Sequence, residues 1–145
     1  MDRVLPTVKS INYMGAVMAV EAAKRQGAVE AIYRTREGLI TEGTRANLFV
    51  FKGDQLITAE QDVLAGITRA VVLEIASDDF EVHQGPVYYE DLRSGAVDEV
   101  FITSSTKEIL PVVQVDEIQI GNGKPGPKTQ KLLALFHSYV ENYGK

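Results

Sequence analysis

The segment Asn47-Leu48-Phe49-Val50-Phe51-Lys52 places four bulky apolar residues in succession. Side chains on a strand alternate between its two faces, so such a run is apolar on both. It predicts a strand over 47–52 that is covered on each side, as an interior strand of a sheet is. Short extended stretches surround it. Residues 30–35 read as a strand, Arg36-Glu37-Gly38 as a turn, and 39–41 as a short strand ending at Glu42-Gly43. Lys52-Gly53-Asp54 reads as a hairpin turn into a strand over 55–58. Connections this short predict antiparallel pairing, because parallel neighbours need a longer crossover.

Helical spacing predicts the covering elements. A first helix is expected over 15–26, with Met14, Val17, Met18 and Ala22 on one row and Ala16, Ala19, Val20 and Ala23 on another. Asn12 is a candidate N-cap and Gly27 a candidate stop. The small residues predict close packing against a sheet. A second helix is expected over 68–77, with Val71, Val72, Ile75 and Ala76 facing the core, and Asp78 and Asp79 at its end. Residues 81–86 read as a strand, 88–94 as one or two helical turns, 99–103 as a strand and 112–115 as another. After Pro125-Gly126-Pro127, Leu132, Leu135, Phe136, Tyr139, Val140 and Tyr143 keep helical spacing to the end. The predicted class is α+β: a largely antiparallel, barrel-like sheet flanked by about three helices.

Composition narrows the function classes. The chain has 145 residues, 45% of them apolar, which suits one domain with a real core. The formal charge is −5, which argues against a general nucleic-acid binder. With no cysteine there is no disulfide, thiol nucleophile or thiolate metal site. No apolar run is long enough to cross a membrane. Met1-Asp2-Arg3-Val4-Leu5-Pro6 lacks a signal peptide's apolar stretch, so a cytoplasmic location is expected. His83 and His137 stand too far apart in sequence to suggest a metal site, and no phosphate-loop or nucleophile-elbow motif is present.

Four places could carry chemistry. Lys9, between Val8 and Ile11, is either a surface lysine or a nucleophilic one with a lowered pKa. Glu42 at a strand end is either a solvated turn residue or a carboxylate projecting into a cleft, with Asn47 bracing the turn. In Leu64-Ala65-Gly66-Ile67-Thr68-Arg69 the glycine precedes a helix, whose unpaired N–H groups favour an anion; the alternative makes Thr68 only an N-cap. The run Thr103-Ser104-Ser105-Thr106 could bind an anion, or Ser105 and Glu108 could form a capping box.

Together these segments resemble the fold-type-IV pyridoxal-phosphate enzymes: branched-chain amino acid aminotransferases, D-amino acid aminotransferases and aminodeoxychorismate lyases. Residues 3–13, R-V-L-P-T-V-K-S-I-N-Y, look like the family's lysine segment. Residues 41–49, T-E-G-T-R-A-N-L-F, look like its E-G-x-x-x-N-x-F motif, and residues 64–69 like its L-x-G-I-T-R motif. Asp98-Glu99-Val100-Phe101 with the hydroxyl run, Glu108 and Pro111 fits a fourth segment. Gly123-Lys124-Pro125-Gly126-Pro127 fits a fifth, before the last helix.

The resemblance implies pyridoxal phosphate as cofactor and a fold like the C-terminal, larger domain of the D-amino acid and branched-chain enzymes, with a pseudo-barrel sheet. It implies Lys9 as the Schiff-base and proton-shuttling residue, Tyr13 on the cofactor's phenolic oxygen, and Glu42 on its pyridine nitrogen. A protonated ring is the better electron sink. It further implies Leu64 against the ring, Ile67 and Thr68 on the phosphate, and Ser105 as a phosphate hydroxyl. The backbone of Ser105 and Thr106 would lie near the substrate carboxylate. Family enzymes are about twice this length and carry an N-terminal domain before the lysine segment, so residues 1–145 correspond to the C-terminal domain alone. The L-P-T-x-K-x-x-N-Y form favours transfer between branched-chain L-amino acids and 2-oxoglutarate. D-amino acid transamination, aminodeoxychorismate lyase activity and a non-enzymatic fragment are the alternatives. A homodimer is the family expectation.

Overall fold

A computed structural model describes residues 7–9 and 13–145. The expected interior strand is the centre of the molecule. It is β3 (Asn47–Lys52), and it pairs antiparallel with β4 (Gln55–Thr58), with β7 (Glu99–Ser104) and, through Glu42 and Asn47, with β2 (Leu39–Gly43). Leu48, Phe49, Val50 and Phe51 are all at most 1% exposed. Alternation divides them between two cores. Leu48 and Val50 join Ile40, Val87, Val100 and Ile102 on one face. Phe49 and Phe51 join Val72, Phe101, Leu132 and Phe136 on the other. On that second face Phe49 stacks on Phe101 with centroids 4.9 Å apart, and Phe80 meets Phe51 edge-on at 4.9 Å. Such pairs contribute about 0.5–1.5 kcal/mol each beyond their buried area.

The sheet extends through β1 (Ile32–Arg34) on β2, β6 (Val87–Tyr88) on β2, and β8 (Glu108–Val112) on β7. Beyond β4 lies β5 (Glu81–Gln84), and this pair is parallel. The exception to antiparallel pairing has a plain cause: helix α2 (Ile67–Ala76) is the crossover between β4 and β5. The strand path from β1 to β5 is open among the described residues, so the expected barrel-like closure is not part of the observed pairing. A separate ribbon joins β9 (Gln114–Val115) to β10 (Ile118–Gln119). Helix α4 (Pro127–Asn142) packs with α2 on the phenylalanine side, and α3 (Tyr89–Arg93) follows β6. No helix among the described residues is long and apolar enough to cross a membrane.

Three expectations are corrected. Helix α1 (Met14–Arg25) has the expected extent, and Gly27 follows it at φ 82°. It does not pack closely on the sheet: Val20 alone is buried, while Met14, Val17 and Met18 are 70%, 54% and 63% exposed. Periodicity reports a face that is apolar, not the body that covers it. Tyr13 holds the N-cap position with no side-chain cap, and the candidate cap Asn12 lies outside the described residues. Second, the capping box of Ser105 and Glu108 is not formed, because Ser105 lies in the β7–β8 turn and Glu108 begins β8, paired with Ser104. The β-branched residues after the turn favour a strand. Pro111, which has no N–H, is tolerated because among the described residues β8 pairs on one side only. The expected strand over 112–115 is consequently split between β8 and β9. Third, Thr68 is not the N-cap of α2; that position is Gly66.

Candidate active site

Glu42 is the next-to-last residue of β2 and sits opposite Asn47, the first residue of β3. A tight turn joins them, closed by the bond from Gly43 N to Ala46 O at 2.7 Å. The turn folds Glu42 inward, where it is 3% exposed, which removes the reading of a solvated turn residue. A buried carboxylate requires donors. Its Oε2 accepts Leu64 N at 3.0 Å and Asn47 Nδ2 at 3.3 Å. Asn47 Nδ2 also donates to Leu64 O at 2.8 Å. Glu42 and Asn47 therefore grip both ends of the Leu64 residue and fix the approach to α2.

Three residues further on, that helix begins. Gly66 is its N-cap, in extended conformation. A Cβ on Gly66 would lie 2.5 Å from Asn47 Oδ1, so only glycine lets the strand residue come this close. The N–H groups of Ile67, Thr68 and Arg69 meet no acceptor among the described residues, and no side chain caps them. Such a helix start carries partial positive charge and favours an anion. Ile67 is 81% exposed at this end, whereas Thr68 is buried beside it. Arg69 is turned away: it is buried and donates to Ala59 O at 3.0 Å and Gln84 Oε1 at 2.9 Å. Burial lowers its pKa below the ordinary guanidinium range, and the charge of Glu60 opposes that shift. It clamps the loop after β4 to the end of β5.

The hydroxyl run occupies two environments. Thr103, on β7 beside Asn47, is 1% exposed, and its hydroxyl has no partner among the described residues. Ser105 and Thr106 are exposed at the β7–β8 turn. Ser104 Oγ accepts Lys107 N at 3.0 Å and steadies that turn.

Lys9 and Tyr13 lie on the segment leading into α1, and both are exposed. Tyr13 lines a cavity of about 320 Å³ between α1 and the β2–β3 turn, with Ala16, Val20, Thr44 and Arg45 also on its walls. Of the residues singled out in the sequence, the structure joins Glu42, Leu64 and, through the α2 start, Ile67 and Thr68. No described contact joins Lys9, Ser105 or Thr106 to that group. Asn47 was legible only as a turn brace; its grip on Leu64 spans 17 positions, which no local pattern reveals.

The arrangement suits a ligand that presents a protonated nitrogen to a carboxylate and an anion to a helix start. Among the described residues no group of His, Asp and Glu is placed to hold a metal ion.

Comparison with known proteins agrees with this chemistry. The family model described as amino-transferase class IV matches residues 1–115. The chain is 37% identical over 146 residues to a Methanocaldococcus jannaschii protein named "Putative branched-chain-amino-acid aminotransferase", covering 99% of this chain and 50% of that protein. It is 39% identical over 141 residues to the D-alanine aminotransferase of Bacillus licheniformis, covering 95% and 49%. Among solved structures it resembles the branched-chain amino acid aminotransferase from Escherichia coli. There the TM-score is 0.85 and the identity 32%, over 95% of this chain and 49% of that one. It also resembles the branched-chain amino acid aminotransferase from Thermobaculum terrenum in its PLP-form, with a TM-score of 0.85 and 28% identity over 94% and 46%. The chain thus spans about half the length of the relatives it matches.

Proposed function

Because this chain belongs to the class IV aminotransferase family, whose cofactor is pyridoxal phosphate, we propose that it forms the cofactor-binding half of a transaminase. The observation that carries the reading is the short path from Glu42 to the α2 start. The buried Glu42 carboxylate holds Leu64 N, and the N–H groups of Ile67 and Thr68, unpaired among the described residues, follow directly. These donors and acceptors fit a pyridine ring with a phosphate on one side. When bound, the cofactor supplies an electron sink for the electrons left when the substrate's α-proton is removed.

The chain's own residues then take distinct roles. Glu42 holds the proton on the ring nitrogen. Leu64 packs against the ring, and Ile67 and Thr68 hold the phosphate, aided by the Ser105 hydroxyl. Tyr13 donates to the phenolic oxygen. Lys9 Nζ is the amine that anchors the cofactor covalently and carries the proton to and from the substrate. The backbone at Ser105 and Thr106 orients the substrate carboxylate. The remainder of the pocket would come from the other half of a longer polypeptide and from a second subunit.

Branched-chain L-amino acids with 2-oxoglutarate are the leading substrates, supported by the L-P-T-x-K-x-x-N-Y form of the lysine segment. The D-alanine aminotransferases of Bacillus licheniformis and Staphylococcus haemolyticus, 39% and 35% identical, support D-amino acids as the second reading. The chain is tested by incubation with pyridoxal phosphate, borohydride reduction, intact mass and a peptide map. The expected result is one cofactor at Lys9 and none in Lys9→Ala. No adduct, or adducts scattered over Lys24, Lys124 and Lys128, would end the claim that this chain builds the site.

A further inference from the structure

Glu30 has no role in the site as described, yet it is placed to control it. Its side chain is 6% exposed. The carboxylate accepts Ala31 N at 3.0 Å and a bond from the Thr44 hydroxyl, and Lys107 Nζ lies 3.4 Å from its Oε2. Thr44 belongs to the β2–β3 turn that carries Glu42 and Asn47 at its two ends. Lys107 belongs to the β7–β8 turn that presents Ser105 and Thr106. One carboxylate therefore bridges partners 14 and 77 positions away in sequence.

The contacts around this bridge are close. A Cβ on Gly43 would lie 3.3 Å from Glu30 Cγ, and Thr44 N donates to Ala31 O at 3.0 Å, so the β2–β3 turn is seated directly on the Glu30 segment. On its other side the β7–β8 turn is held by Glu108, whose Oε2 is 2.8 Å from His137 Nε2 on α4. Lys107 and Glu108 thus anchor the turn in two directions. Ser105 and Thr106, exposed at its tip, make no side-chain hydrogen bond to a described residue. A carboxylate this buried is costly to leave without its cation, so the bridge resists separation of the two turns.

We propose that Glu30 is a positioning residue, which through Thr44 and Lys107 sets the spacing between the Ser105–Thr106 turn and the Glu42 corner. A ligand whose ring meets Glu42 and whose phosphate meets Ser105 then engages both turns at once. This rests on the reading of the site given above.

The test compares the 145-residue chain with its Glu30→Gln and Lys107→Met variants and the double variant. Each is titrated with pyridoxal phosphate and with pyridoxal, which lacks the phosphate. Each single variant is expected to lose about tenfold in affinity for pyridoxal phosphate and to stay within about twofold for pyridoxal. The double variant is expected to lose no more than either single one, because both remove the same tie. Equal losses for the two ligands, or losses that add, would overturn the proposal. Amide hydrogen exchange gives a readout that needs no ligand. Lys107→Met is expected to speed exchange at residues 44–46 as well as at 105–107; a change confined to the substituted turn overturns the bridge. Should the unsubstituted chain bind neither ligand, the proposed function fails by itself, and the exchange result still decides the role of Glu30.

Discussion

Helices α2 and α4 start alike and end up electrically different. Each has a glycine at its N-cap in extended conformation, and at each a side chain from the central sheet fills the space where a Cβ would go. At α4 that side chain is Glu99, from the start of β7. Its carboxylate accepts Lys128 N at 3.0 Å, Thr129 N at 2.8 Å and Thr129 Oγ1 at 2.7 Å. At α2 it is Asn47, whose amide is committed to Glu42 and Leu64 O, and the helix N–H groups meet no acceptor among the described residues. The chain neutralises one helix start from within, whereas the first N–H groups of the other meet no acceptor among the described residues. Both are ends with positive partial charge; what separates them is the residue type that arrives from the neighbouring strand.

The largest effect is expected at the closed end. Glu99→Ala removes three bonds to a carboxylate, two of them buried, and should lower stability by about 3 kcal/mol in urea denaturation. It should leave the affinity of the folded chain for pyridoxal phosphate unchanged. Weakened binding would show that the two helix starts are not independent. Gly66→Ala comes next. Its Cβ would press on Asn47 Oδ1 from 2.5 Å, which should cost about 2 kcal/mol and loosen the grip on Leu64. Cofactor affinity should fall together with stability, as thermal melts and a spectroscopic titration would report. Thr68→Val is the mildest and the most selective. The shape is kept, so stability should move by less than about 0.5 kcal/mol. Affinity for the phosphate-bearing ligand should fall about tenfold through the lost hydroxyl. Unchanged affinity would remove Thr68 from the anion site.

This difference was invisible in the sequence, although each helix start was legible. Gly66 before Ile67, and Gly126 before Pro127, mark the beginnings of α2 and α4 by local rules. Strand β3 was legible to the residue, because a run apolar at every position has few ways to be satisfied except between two cores. The β7–β8 turn was not. Four hydroxyl residues followed by a glutamate suit a helix cap as well as a hairpin, and pairing with β7 decides between them. Glu42 stood out as a strand-end carboxylate, but its burial depends on donors at Asn47 and Leu64. Glu30 and Glu99 gave no local signal, since what matters about each is a partner far along the chain. The apolar stripe of α1 was read correctly as a helix and wrongly as packed, for spacing encodes a face and not its cover.

The pairing of β3 with β7 also sets the order in which such a site can come into being. Residues 47–51 meet residues 99–103, so the central contact closes a long loop of chain. Closure of that kind is slow compared with forming a helix or a hairpin. Glu42 lies on β2 and Asn47 on β3, whereas Ser105 and Thr106 follow β7, so the two parts of the proposed site are brought together only after this step. A growing or refolding chain therefore displays the parts of the site long before the site itself. A ligand that needs both turns acts as a seal on completed folding, and it would slow unfolding more than it speeds refolding.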